Sequence, residues 1–163
     1  MSASAALEPT VRISPETDAD APAIEALVLA AFGPGRFAKT AERLRERARK
    51  VAGVAARIDG RLVGSVRLWA VTAGEVEALF LGPIAVAADI RGEGIGADLV
   101  AACLEEADRR GVAGVLLIGD APYFSRFGFV AAPRVILPGP ADPRRVLWRP
   151  VRATEASGAV RGA

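Results

Sequence analysis

Residues 77–119, EALFLGPIAVAADIRGEGIGADLVAACLEEADRRGVAGVLLIG, decide the fold. An apolar stretch (77–86) broken by Gly82-Pro83 reads as a strand with a bulge or a local break in pairing. Three glycines follow within five positions, Gly92, Gly94 and Gly96. From residue 95 to 111 the pattern is helical. Ile95, Leu99, Cys103 and Ala107 share one stripe, Arg109 and Arg110 sit in the last turn, and Gly111 ends it. VAGVLLIG (112–119) then reads as a buried strand. A strand, a glycine loop, a helix and a strand make a right-handed crossover between parallel neighbours.

Three glycines are costly to order, and a turn needs fewer. A glycine-rich turn feeding a helix N-terminus presents several amide N–H groups in one concavity, with the positive end of the helix dipole behind them. Both favour a phosphate or pyrophosphate; the alternative is a loop that only turns tightly. Two motifs compete for the phosphate reading. GEGIGA (92–97) fits the G-x-G-x-x-A form of a dinucleotide fingerprint, but that motif directly follows its strand, and here AADIR intervenes. A Walker loop fails, because no Gly-Lys-Ser/Thr follows.

Outward from this unit, VRIS (11–14) predicts a short strand, 16–32 a helix stopped by GPG, and 37–50 a second, more polar helix. Within that helix RLRERARK (43–50) reads as a solvated face. Residues 51–71 carry Asp-Gly between two apolar runs, a hairpin signal. APYFSRFGF (121–129) predicts a short helix leading to a strand, and 144–151 a last strand whose arginines suit an exposed edge. The predicted order is β-α-α-β-β-β-α-β-α-β-β. Residues 1–10 read as a flexible leader, 11–151 as the folded domain and 152–163 as a flexible tail.

The 163 residues are 52% hydrophobic and 25% charged, with a net charge of +2. So small a surplus argues against a nucleic-acid partner. No apolar run reaches the roughly 18 residues of a membrane span. The N-terminal stretch lacks the pattern of a signal peptide, and one cysteine excludes an internal disulfide. A cytoplasmic protein without a membrane partner is the expectation. There is no histidine and only one tyrosine, Tyr123. Histidine-based triads and histidine-ligated metals are excluded, and a single cysteine cannot build a thiolate site, so no metal is expected. Proton transfer falls to carboxylates, lysines, Tyr123, Cys103, water or substrate.

IAVAADIRGEGIGADL (84–99) resembles the cofactor motif of the GNAT superfamily of N-acetyltransferases, Arg/Gln-x-x-Gly-x-Gly/Ala, with Arg91, Gly94 and Gly96 at its positions. GDAPYFSRFGF (119–129) and PGRFAKTAERLRE (34–46) resemble segments of a branch of small bacterial acetyltransferases. The resemblance spans roughly 11–151. It implies a single-domain α/β fold with a mixed, splayed central sheet flanked by helices. It also implies acetyl-CoA as co-substrate, direct acetyl transfer to a small-molecule or protein amine, and an acyltransferase active in the cytoplasm. Backbone groups of Ile84, Ala85 and Val86 would hold the pantetheine arm. Arg91 and the amides of Gly92, Glu93, Gly94, Ile95, Gly96 and Ala97 would hold the diphosphate.

Many relatives place an acid tyrosine four residues before the glycine of the terminal Gly-Phe. That position is Phe124 here, and Tyr123 lies one residue earlier, about 100° around a helix. Tyr123 is the candidate for protonating or positioning the leaving thiolate; a buried ring with a wet hydroxyl is the alternative. Glu77, with Glu75, is the candidate base, against an exposed carboxylate. Asp120 reads as a helix cap or a cleft residue, and Cys103 as core. Arg36 and Lys39 would hold an anionic substrate or sit on a solvated helix end. Two other functions stay open: a catalytically weak acyl-CoA-binding, sensing or partner-interaction module, and a nucleotide-binding oxidoreductase domain. The late edge strand allows a homodimer.

Overall fold

A computed structural model describes residues 10–35, 39–90, 92 and 94–163. Arg36, Arg91, Glu93 and the leader before residue 10 lie outside the described residues. The chain runs β1 (Val11–Pro15), α1 (Ala21–Phe32), α2 (Thr40–Glu46), β2 (Arg49–Ile58), β3 (Arg61–Ala73), β4 (Val76–Leu81) and β5 (Ala85–Val86). It continues through α3 (Ile95–Arg110), β6 (Gly114–Ile118), α4 (Ala121–Phe124), β7 (Val130–Ala131), β8 (Val135–Ile136), β9 (Val146–Pro150) and β10 (Gly158–Gly162). The main sheet order is β1-β2-β3-β4-β6-β9-β7.

The predicted hairpin forms at Asp59-Gly60, where both residues take positive φ, 49° and 80°. This matches the right-handed twist of the flanking strands. Its second strand, β3, is the spine of the sheet. β4 pairs antiparallel with its C-terminal half, Leu68 to Ala73, and β5 with Gly64 and Ser65. Between β4 and β5 the chain leaves the ladder at Gly82, φ 135°, followed by a cis bond to Pro83. The break is pinned on both sides. The Gly82 amide donates to Arg67 O at 2.9 Å, and the Trp69 indole N–H donates to Gly82 O at 2.5 Å.

β4 and β6 are parallel neighbours only at Leu79–Val115 and Phe80–Leu116. Past that point β4 turns away at Gly82 and β6 runs on to Ile118, so the two strands splay at their C-terminal ends. The mixed, splayed sheet expected from the sequence is the one observed. Strand alternation sends residues to two cores. Leu79, Leu81, Val115 and Leu117 pack with Leu99, Cys103 and Ala107 of α3 on one face. Phe80 and Leu116 pack with Leu44, Val146, Trp148 and Val160 on the other. α3 approaches β3 closely because Gly64 has no Cβ; one built there would stand 2.9 Å from Leu99 Cδ1.

Four expectations are corrected. The second helix spans only Thr40–Glu46, because residues 49 and 50 join β2. Arg45 within it is not solvated: it is 9% exposed and lies over the Phe80 ring. β9 is not an edge, because β7 pairs along its outer side and Val146, Leu147 and Trp148 are buried. The edge that allows a homodimer in the sequence reading is therefore paired at Leu147 and Trp148. The tail is not loose: β10 pairs with β3 and β8, and Val160 is 2% exposed. A run of small residues orders here because the Trp148 indole donates to Ala153 O at 3.0 Å and Val160 fills the second core.

Deleting residues 153–163 should therefore cost at least about 2 kcal/mol, the burial of one valine side chain alone. Denaturant unfolding checks this, and an unchanged midpoint would return the tail to the solvent.

At the start of α1, Asp20 accepts from Arg57 at 2.6 Å and from the Thr17 amide. These bonds hold its carboxyl down at about 2. Their contribution is present above the ordinary carboxylate range and is lost as pH falls towards 2. Burial alone would raise the Glu16 carboxyl; its bonds to Arg67 and Lys50 outweigh that and leave it lowered. No helix among the described residues is long and apolar enough to cross a membrane.

Candidate active site

The splay between β4–β5 and β6 opens a cleft of two adjoining cavities that share Phe32 and Ile84. The smaller, about 460 Å³, is walled by β5, the glycine loop, the first turn of α3, Tyr123 and Arg126. The larger, about 680 Å³, lies between the ends of β4 and β6, α2 and the loop before β9.

The loop is built by glycine conformations. Gly92 and Gly94 have φ of 94° and 77°, where a side chain is strained. Gly94 is the N-cap of α3. Asp98 is the first amide to close a helical turn, donating to Gly94 O at 3.1 Å. The amides of Ile95, Gly96 and Ala97 precede it and have no helical carbonyl to reach. Gly96 differs from the other two. Its φ is not positive, and a Cβ there would meet nothing nearer than Tyr123 Oη at 3.7 Å and Val86 Cγ2 at 4.0 Å. Its missing side chain keeps the cavity open beside the helix N-terminus. This is the geometry of an anion site. β5 pairs with β3 and, among the described strands, with none on its other side. An extended polar arm can lie there.

Of the positions singled out in the sequence, Ile84, Ala85, Val86, Gly92, Gly94, Ile95, Gly96, Ala97 and Tyr123 all line this one cavity. Glu77 does not join them. It is exposed near the start of β4, its carbonyl accepting from the Ala113 amide, at the end of the sheet away from the splay. Four residues of strand, about 13 Å, separate it from Leu81 at the cleft. Glu75 lies at the same end. Neither lines either cavity of the cleft, and the expected base is withdrawn from both.

Asp120 has both of its expected roles. It caps α4, accepting from the Tyr123 amide at 3.2 Å, and it lines the larger cavity. Lys39 lines that cavity too, and Phe124, 9% exposed, forms part of its wall. Tyr123 instead turns its hydroxyl towards the first turn of α3. Its ring packs edge-on against Phe124 and Phe127. Cys103 is buried in the core, and desolvation pushes its thiol up to about 12. It therefore stays protonated near neutral pH. A thiol reagent at pH 8 should leave the native chain unlabelled and modify one thiol per chain after denaturation. Fast labelling of the folded protein would contradict this burial.

Arg126 is the site residue that motif reading missed. Its guanidinium lies over the Tyr123 ring, 4.4 Å from the centroid, and it lines the smaller cavity. The signal was present in the sequence: Arg126 follows Tyr123 by three residues, which puts the two on one helical face. It supplies a cation beside the loop amides.

A family model described as the acetyltransferase (GNAT) family matches residues 21–129, from the start of α1 to Phe129. The N-acetyltransferase YhbS of Escherichia coli is 34% identical over 120 residues, covering 72% of each chain. The crystal structure of that GNAT family N-acetyltransferase, YhbS, in complex with CoA superposes with a TM-score of 0.82 at 28% identity, covering 95% of this chain and 91% of that one. A GNAT family acetyltransferase from Brucella melitensis in complex with acetyl-CoA superposes with a TM-score of 0.66 at 28% identity, covering 86% and 96%. The matched segment contains the splayed strands, the glycine loop and α4 together, and the chain belongs to the GNAT family of N-acetyltransferases.

Proposed function

We propose that this chain moves an acetyl group from acetyl-CoA directly to the nitrogen of an amine. The observation that carries the reading is the first turn of α3, whose free amides and unfilled Gly96 open onto the gap beside β5. These residues fit a diphosphate followed by an extended arm. The amides of Gly92, Gly94, Ile95, Gly96 and Ala97 would take the diphosphate, together with Arg126. Ile84, Ala85 and Val86 would take the arm. Arg91 and Glu93 belong to this set by the family motif alone.

When bound, acetyl-CoA supplies an activated thioester carbonyl. Phe32 and Ile84, common to both cavities, mark where that carbonyl would meet the acceptor. Their apolar side chains, with Phe124, line the junction with apolar surface and favour the neutral amine over the ammonium ion. The nitrogen–carbon bond forms as the carbon–sulfur bond breaks, and the amine's proton passes to water or to Asp120. A thiol with an ordinary pKa near 8.5 leaves without obligatory acid help, which suits a phenylalanine at position 124.

In this reading Tyr123 serves acetyl-CoA binding rather than protonation of the thiolate. A hydroxyl next to the loop amides would donate to a phosphate or to the arm, a contact worth about tenfold in affinity. Tyr123→Phe should therefore raise KM for acetyl-CoA about tenfold and leave kcat within about threefold. A kcat loss of about 10- to 100-fold with KM unchanged would instead assign the hydroxyl to the departing thiolate.

The competing reading is a catalytically weak acyl-CoA-binding module. Phe124 in the wall, and Glu77 outside the cleft, favour it. Thiol release from acetyl-CoA with a panel of amines separates the two: amine-dependent release supports transfer, and tight binding without release supports the module. The buried Cys103 keeps the background of that assay low.

A further inference from the structure

The larger cavity has a charge character of its own. Among the described residues three cations line it, Lys39, Arg45 and Arg145, against one carboxylate, Asp120. Asp120 already accepts the Tyr123 amide. Two carboxylates outside the lining offset part of this charge: Glu42 bonds Arg45 at 2.9 Å, and Asp142, bonded to Arg144, also feels the charge of Arg145. Lys39 and Arg145 remain on the exposed rim. They come from two distant segments that the fold ties together. The Thr40 hydroxyl donates to Pro140 O at 2.5 Å, and the Gly119 amide donates to Arg145 O at 2.8 Å. Neither cation lines the smaller cavity, so their charge is not directed at a diphosphate on the α3 loop.

Resting on the acetyltransferase reading, we infer that the acceptor is a small amine that also carries an anionic group. At about 680 Å³ the cavity suits a small molecule rather than a folded partner. Phe32, Phe80 and Phe124 contact an apolar body between the two ends. The amine points to the junction at Phe32 and Ile84, and the anion to Lys39 and Arg145. The same field works against a second positive charge on the acceptor. Polyamines and aminoglycosides are disfavoured, because like charges brought together on binding are a penalty against the wrong ligand. A positive surround also eases deprotonation of the bound ammonium.

The test uses matched pairs, α-amino acids of different side chains against their C-terminal amides, with spermidine as the polycation. Each is titrated calorimetrically into the wild-type protein with and without acetyl-CoA. Amine-dependent thiol release is measured in parallel. The acid should bind about tenfold more tightly than its amide, and spermidine more weakly than either. In a Lys39→Glu/Arg145→Glu variant, shown to be folded by circular dichroism, the amide should bind at least as well as the acid. An amide equal to its acid in wild type, spermidine bound best, or a double variant that keeps the wild-type preference would each overturn the inference. Failure of the acetyltransferase reading is seen separately, as acetyl-CoA that either does not bind or binds without thiol release in the presence of any amine of the panel.

Discussion

Gly96→Leu should raise the Kd for acetyl-CoA at least about tenfold, 1.4 kcal/mol or more, while leaving the protein as stable as before or more so. The two effects have opposite signs because Gly96 is the one loop glycine that backbone geometry does not require. It sits in the first turn of α3 without a positive φ, and a Cβ there has nothing within 3.7 Å. Replacing glycine in a helix gains up to about 1 kcal/mol of propensity. The longer side chain then projects into the space beside Tyr123 and Val86, which the diphosphate or arm needs. Gly94→Leu is the contrast. At φ 77° a side chain strains the backbone, so that variant should lose both stability and affinity. Calorimetry with acetyl-CoA and thermal melts of both variants check this. Unchanged affinity in a folded Gly96→Leu protein would mean the loop serves only the turn.

Trp148→Ala should cost about 3–5 kcal/mol. Trp148 is 0% exposed, and β9 carries it into the second core beside Phe80 and Leu116. Its ring occupies the space a Cβ at position 114 would take: one built on Gly114 would lie 2.3 Å from Trp148 Cζ2. Its indole N–H donates to Ala153 O, so truncation leaves a cavity and loosens the tail that β10 anchors. Trp148→Phe should lose less, since most of the volume remains and only the hydrogen bond is gone. Circular dichroism in denaturant checks both. A loss below about 1 kcal/mol for the alanine variant would place the ring outside the core.

The parts of the fold that could be read from the chain are those whose cause is local. The Asp-Gly turn, the α3 stripe from Ile95 to Ala107 and the strand–glycine–helix–strand order are set by neighbouring residues, and all three stand as read. Gly82-Pro83 marked a break in pairing, and the break is where β4 leaves the sheet. What escaped depends on distant partners. Arg45 looks solvated in RLRERARK, but Phe80 on another strand buries it. Residues 158–162 are too small to declare a strand until β3 and Trp148 are beside them. Val146–Pro150 has the arginines of an edge, and only the two-residue β7 shows that it is not one.

The site divides the same way. The loop was legible because phosphate geometry needs glycines and a helix start in one short stretch. Glu77 was misplaced because a strand position does not say at which end of the sheet the splay opens. Of the cations of the larger cavity, Lys39 and Arg45 lie in the segment 34–46, and Arg145 comes from a distant stretch that shares no motif with them.

The most direct measurement of the central account is amide NMR of the ¹⁵N-labelled 16.9 kDa chain during titration with CoA. The account predicts large shifts at Gly92, Gly94, Ile95, Gly96 and Ala97 and along Ile84 to Val86, with a smaller response at Arg126 and little change in β1 or β10. Binding that leaves the Gly92–Ala97 amides unmoved, or shifts centred away from α3 and β5, would contradict it.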